Sequence, residues 1–273
     1  MEDPVTWSRY VAIGDSFTEG MSDPSPDLPD TYVGWADRLA AHLASKAADE
    51  GRDFGYANLA IRGRLLADVE GPQLDAALEL QPDLVSIVGG PNDLLRPGAD
   101  VDDLADRLEA AVAKIRATGA DVLMSTTADP GYAPLLKRIR PRTSVFTANI
   151  WGIAQRQGAY VLDMWNLRVL RDPRLWATDR LHLTTEGHQR VAAQAAWALG
   201  DRDTERDWAI PLPPAPPLSR LAAVRGHAEW AQEYLGPWVH RRLTGRSSGD
   251  NVAPKRPDLT PIDPIDPADG DIA

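Results

Sequence analysis

The chain alternates short apolar runs with longer segments whose apolar residues recur every three or four positions. Residues 10–13, 54–59, 83–88, 121–125 and 159–163 are compact runs rich in Val, Ile, Leu and Tyr, and each reads as a β-strand. The run at 83–88 is continuous enough to be buried on both faces. Between and beyond these runs, residues 32–43, 65–80, 101–118, 145–157 and 185–199 carry helical spacing. In 101–118 the apolar stripe is Leu104, Leu108, Ala111 and Ile115, and Gly200 is placed to end the last helix. Five strands separated by helices predict a mostly parallel, five-stranded sheet covered on both faces, with right-handed crossovers. Such sheets bind ligands beyond the carboxyl ends of their strands. Ser16, Gly63, Asn92 and Asp129 all fall just after a predicted strand.

The pattern changes near Trp208. Prolines 211, 213, 214, 216 and 217 forbid a regular helix there and predict an extended path over the surface. This divides the chain into a main body at 1–200 and a C-terminal extension at 201–273. Trp208, Leu212, Leu218, Leu221, Trp230, Tyr234, Leu235 and Trp238 give the extension more apolar material than a detached linker needs. It is therefore expected to pack on the core, or on a partner subunit as a route to a homo-oligomer. From Pro254 onward the Asp- and Pro-rich end reads as a clinging arm or a flexible tail. Its spaced aspartates lack the glycine and final glutamate of a calcium loop. The nine tryptophans are spread along the chain and read as packing groups rather than a stacking platform for bases or sugars.

Charge and composition narrow the classes further. Forty acidic residues against 29 Lys and Arg give a formal net charge of −11, which opposes a general nucleic-acid or anionic-membrane surface. No apolar stretch is long enough to span a bilayer, and the first residues lack the basic segment and apolar run of a secretory leader. A cytoplasmic location is the resulting expectation. With no cysteine, disulfides, thiolate metal sites and cysteine catalysis are excluded. The sequence has no phosphate-cradling P-loop, no His-Glu-x-x-His pair and no dinucleotide fingerprint. Neither cofactor nor metal is therefore expected.

What remains is a set of residues suited to acyl transfer. Ser16 follows the first strand in Gly14-Asp15-Ser16-Phe17 and can be a nucleophile, or merely cap a helix. A serine hydroxyl needs a base, and Asp179-Arg180-Leu181-His182 supplies one. His182 can accept the proton while Asp179 orients the ring and stabilises the imidazolium. The bland alternative makes Asp179 a helix cap. His188 lacks an acid at equivalent spacing and reads as structural. Asn92 of Gly90-Pro91-Asn92-Asp93, and the N–H groups of Gly63 and Ser16, can face a developing oxyanion. Gly63, Gly90 and Asn92 could equally be turn residues. Asp15 and Asp93 read as loop-fixing carboxylates. The segment 129–142, with Tyr132, Leu135 and Leu136 beside Lys137, Arg138, Arg140 and Arg142, reads as a helix end with a solvated basic face, or as a cleft wall.

These blocks, in this order, resemble the SGNH or GDSL-type hydrolase family over roughly residues 8–200. The resemblance rests on Gly14-Asp15-Ser16-Phe17, on Gly63 within Asn58-Leu-Ala-Ile-Arg-Gly63, on Gly90-Pro-Asn-Asp93 and on Asp179-Arg-Leu-His182. Phe17 stands where leucine is common; Arg62 and the extension are less typical. The resemblance implies a flavodoxin-like three-layer α/β/α sandwich. It also implies Ser16, His182 and Asp179 as catalytic residues, with Ser16, Gly63 and Asn92 as oxyanion donors. The function expected is a metal-independent serine carboxylesterase acting on a small acylated substrate through an acyl-serine. Carbohydrate O-deacetylation and cleavage of thioesters or lysophospholipids remain the alternatives, with a non-enzymatic interaction module the remotest.

Overall fold

The computed structural model describes residues 6–26, 31–133, 136–202, 206–215, 230, 233, 234, 236 and 247–263. Alternation along the first strand, β1 (Arg9–Ile13), divides the interior. Tyr10 and Ala12 face one hydrophobic layer, and Val11 and Ile13 face the other. The remaining strands are β2 (Gly55–Asn58), β3 (Leu84–Ile87), β4 (Asp121–Ser125), β5 (Tyr160–Leu162) and β6 (Arg256–Pro261). The helices are α1 (Ser16–Glu19), α2 (Gly34–Asp49), α3 (Leu66–Asp68), α4 (Leu74–Glu79), α5 (Pro91–Leu94), α6 (Val101–Arg116), α7 (Arg140–Gln157) and α8 (Thr185–Ala198).

The sheet runs β5-β4-β3-β1-β2-β6, with β1 to β5 parallel and β6 antiparallel on β2. Helices α2 and α8 cover one face through Trp35, Leu39, Val191 and Ala195. On the other face, α4, α6 and α7 contribute Leu74, Leu108, Ile115, Phe146 and Ile150. The result is a three-layer α/β/α sandwich with a mixed, mostly parallel sheet. Val11 lies beside both Ala57 and Val85, so β1 is central and its carboxyl end opens between neighbours.

The five-stranded expectation is corrected to six. The added strand has the sequence Arg-Pro-Asp-Leu-Thr-Pro, which carries no apolar alternation and two prolines. Proline is tolerated at an edge, where one side of the strand needs no ladder partner. The helix expected over 65–80 is also divided: the chain kinks at Gly71, which holds φ −102° and ψ −107°, just before Pro72. α7 begins at Arg140, five residues before the expected start, with Pro141 in its first turn.

From the extension, Trp208 is buried beside Trp197, with ring centroids 6.2 Å apart. Leu218, Leu221, Leu235, Trp238 and the residues after Asp263 lie outside the described set. No helix among the described residues is long and apolar enough to cross a membrane.

Candidate active site

β1 ends at Ile13, and Ser16 opens α1 three residues later. Asp15 caps that helix by accepting the Phe17 N–H at 3.0 Å. At the first helical position the Ser16 N–H has no intrahelical partner and is available to a ligand. The turn is fixed from several directions. The Gln73 amide spans the backbone of Gly14, accepting its N–H at 2.8 Å and donating to its carbonyl at 2.9 Å. After one turn, Gly20 (φ +92°) passes Gly34 (φ +81°) so closely that a Cβ on Gly34 would stand 2.4 Å from Gly20 Cα.

His182 arrives from 166 residues further along the chain. Its Nε2 lies 2.9 Å from Ser16 Oγ, and its Nδ1 lies 2.6 Å from Asp179 Oδ2. Asp179 can only accept, so Nδ1–H donates to it and Nε2 is left to receive the serine proton. The other Asp179 oxygen accepts the Leu181 and His182 N–H groups at 2.9 and 3.0 Å. Burial opposes the charge on Asp179. The His182 bond, the His182 charge and the two amides outweigh it and hold the carboxyl below the usual carboxylate range. The same carboxylate therefore caps the loop and fixes the orientation of the His182 ring.

Ser16, Gly63, Asn92, Asp179 and His182 all line one cavity of about 440 Å³. Val88, Leu95, Leu136, Ile139 and Met164 give it an apolar side, while Tyr132 and Trp176 stack in its wall at 4.5 Å. Gly63 sits at φ +72°, outside the range of most side chains. The Asn92 amide has both N–H groups engaged, donating to Asp15 Oδ2 at 3.1 Å and to the Arg64 carbonyl at 2.9 Å. An oxyanion would have to draw one of them away.

Asp15 is buried, which pushes its carboxyl up to about 6 despite the Phe17 N–H. Asp93 accepts the Leu66 N–H at 2.9 Å and ties α5 to α3. His188 is buried between α2 and the nucleophile turn: its Nδ1 accepts the Trp35 N–H, its Nε2–H donates to the Met21 carbonyl, and its ring stacks on Phe17. It holds the turn and does not reach Ser16. In the basic segment, Arg140 meets Asp129 at 2.7 Å, joined from outside the segment by Arg171 at 2.8 Å, and Arg142 donates to the carbonyls of Leu94, Arg96 and Ala99. These cations bond protein groups, while Tyr132, Leu136 and Ile139 of the same stretch form cavity wall.

Several residues escaped sequence reasoning. Glu19 binds the Arg62 N–H at 2.6 Å and its guanidinium, bracketing the Gly63 loop to α1. The signal was present, since Glu19 follows the serine block and Arg62 precedes the key glycine. Thr126, Thr127 and Trp176 line the cavity, with no local pattern to mark them. Among the described residues, no group of three His, Asp or Glu side chains is arranged to hold a metal ion.

The model of the GDSL-like lipase/acylhydrolase family matches residues 12–190. No curated protein matches the chain. Among solved structures, LAE5, an alpha/beta hydrolase enzyme from the metagenome of Lake Arreo, Spain, is 23% identical, with a TM-score of 0.61; the match covers 72% of this chain and 96% of that one. TesA is 25% identical at TM-score 0.53, covering 70% and 97%. Axe2, an acetylxylan esterase from Geobacillus stearothermophilus, is 18% identical at TM-score 0.60, covering 74% and 98%.

Proposed function

Because the chain belongs to the GDSL-like lipase/acylhydrolase family and is a hydrolase, we propose that it cleaves carboxylic esters through an acyl intermediate on Ser16. The observation that carries this reading is the continuous relay from Ser16 Oγ to His182 at 2.9 Å and from His182 to Asp179 at 2.6 Å. Ser16 Oγ attacks the ester carbonyl carbon while its proton passes to His182 Nε2. The resulting oxyanion receives the Ser16 and Gly63 N–H groups, and Asn92 joins by exchanging its bond to Asp15. His182 then returns the proton to the departing alcohol oxygen, leaving acyl-Ser16. Water, deprotonated by His182, attacks the acyl carbon; the acid departs and the serine regains its proton. No step calls on a metal. The catalytic body occupies 1–200 in this reading, and the parallel strand order 2-1-3-4-5 supports a flavodoxin-like arrangement of its sheet.

Removal of short acyl groups from a carbohydrate is the substrate class that the comparisons support best, through the likeness to acetylxylan esterase. The Tyr132–Trp176 pair supplies aromatic wall against which a sugar ring can lie. The apolar side lined by Val88, Leu95, Leu136 and Ile139 supports a second reading, a simple carboxylester with a longer acyl chain. Comparing kcat/KM for acetylated xylooligosaccharides with that for p-nitrophenyl acetate and butyrate separates them. The first reading expects the acetylated sugar to lead. Preference for the butyrate over both acetates would overturn it in favour of the second.

A further inference from the structure

The family match ends at residue 190, yet residues far beyond it reach three segments of the site. At the base loop, Trp230 Nε1–H donates to the Asp179 carbonyl at 2.8 Å, and the Arg180 guanidinium lies over the Trp230 ring at 5.1 Å. The Tyr234 hydroxyl is 2.8 Å from Thr178 Oγ1, and Tyr234 itself lines the cavity. At the glycine loop, Ser247 Oγ–H donates to the Gly63 carbonyl at 3.3 Å, and Ser248 lines the cavity beside it. At the end of α1, Lys255 Nζ donates to the carbonyls of Glu19, Tyr32 and Val33 at 2.6–2.9 Å and to Asp37 at 2.5 Å.

The base loop has particular need of such support. It lies outside the sheet, between the Trp176–Leu183 bridge, and Arg180 holds a left-handed φ of +59° that most side chains avoid. Among the described residues, the catalytic body also holds this loop, through the Tyr132 hydroxyl donating to the Arg180 carbonyl at 3.2 Å and through the Asp179 carboxylate accepting the Leu181 and His182 N–H groups. The extension supplies the bonds to Thr178 and Asp179. An error in the Asp179 backbone is passed directly to His182, because the same aspartate binds both the His182 N–H and its ring.

We propose that Trp230 and Tyr234 are positioning residues of the catalytic site, holding the 178–180 loop so that His182 meets the Ser16 hydroxyl. Tyr234 and Ser248 of the extension are then working wall of the active site. This rests on the Ser16 esterase reading, and the test separates the two.

Full-length wild type, Trp230→Phe, Tyr234→Phe and Thr178→Ala are compared. Turnover of p-nitrophenyl acetate is measured with the ligand-free proton resonance of the His182 Nδ1–H that bonds Asp179. Losing one bond of this kind should lower kcat by about 3- to 10-fold in Trp230→Phe, with KM within about twofold of wild type. The His182 resonance should shift or broaden. Tyr234→Phe and Thr178→Ala should give the same smaller loss, since each removes one end of a single bond. Wild-type kcat and an unmoved resonance in Trp230→Phe would overturn the proposal. So would a kcat loss that merely tracks lost folded protein while the resonance stays in place. A wild-type enzyme inert to esters would refute the Ser16 reading, while the resonance would still decide whether Trp230 positions His182.

Discussion

The nucleophile turn and the base loop meet across 2.9 Å but are held by opposite means. The turn at 14–20 continues a central strand whose residues 10–13 are fully buried. Gln73, Glu19 and the Gly20–Gly34 crossing lock it from inside. The loop at 178–182 is half-exposed, belongs to no strand or helix, and depends on side chains that come from distant parts of the chain. One member of the proposed Ser16–His182 pair is thus positioned by the core and the other by a surface network. Damage to the turn should cost stability first, and damage to the loop should cost rate first.

The largest effect is expected where the turn crosses α2. Gly34→Ala places a methyl group 2.4 Å from Gly20 Cα, at a backbone φ of +81° that alanine also resists. Neither backbone can yield cheaply, so a loss of about 3 kcal/mol or more is expected, read as a fall in Tm of roughly 6–12 °C. A variant within about 0.5 kcal/mol of wild type would show that the crossing is not what fixes the turn.

His188 gives the turn a pH signature. Burial pushes its imidazole down to about 4, with Met21 and Asp23 opposing too weakly to reverse this. Between pH 6.5 and about 4 the unfolded chain binds a proton that the folded chain refuses. Stability therefore falls as pH falls through this window, by up to about 3 kcal/mol. Asp15 and Asp37, both pushed up to about 6 by burial, act in the opposite direction, so the wild-type curve alone does not isolate the histidine. His188→Gln can keep both hydrogen bonds without titrating. Denaturation of the pair across this window should show the variant losing less stability in acid; parallel curves would contradict the assignment. The smallest effects are the losses of kcat in the loop variants, Trp230→Phe and, below it, Tyr234→Phe and Thr178→Ala, in which the loop is loosened while the core is left intact.

This contrast also explains what could be read along the chain. The five parallel strands were legible because each is a compact apolar run, and the helical faces of α2, α6 and α8 because each buries a periodic stripe. Ser16 and the Asp179–His182 pair were legible because a strand end and a three-residue spacing are local features. The contribution of β6 was not, since Arg256–Pro261 gains its place from the unpaired edge of β2 and not from its own pattern. The division at Val69–Gln73 was hidden for the reverse reason: apolar Leu66, Val69 and Leu74 keep near-helical spacing across a break at Gly71 and Pro72. Asn92 was legible as a residue near the cavity but not as one whose N–H groups are both engaged, because Asp15 and Arg64 are far from it in sequence.

The central claim is that the turn and the loop together activate Ser16. A fluorophosphonate probe followed by peptide mapping tests it most directly, because only an activated hydroxyl is modified rapidly. The account predicts one adduct per chain, on the peptide carrying Ser16, with turnover lost in step with labelling and neither labelling nor turnover in Ser16→Ala. Full ester turnover after complete treatment, or by Ser16→Ala itself, would contradict it.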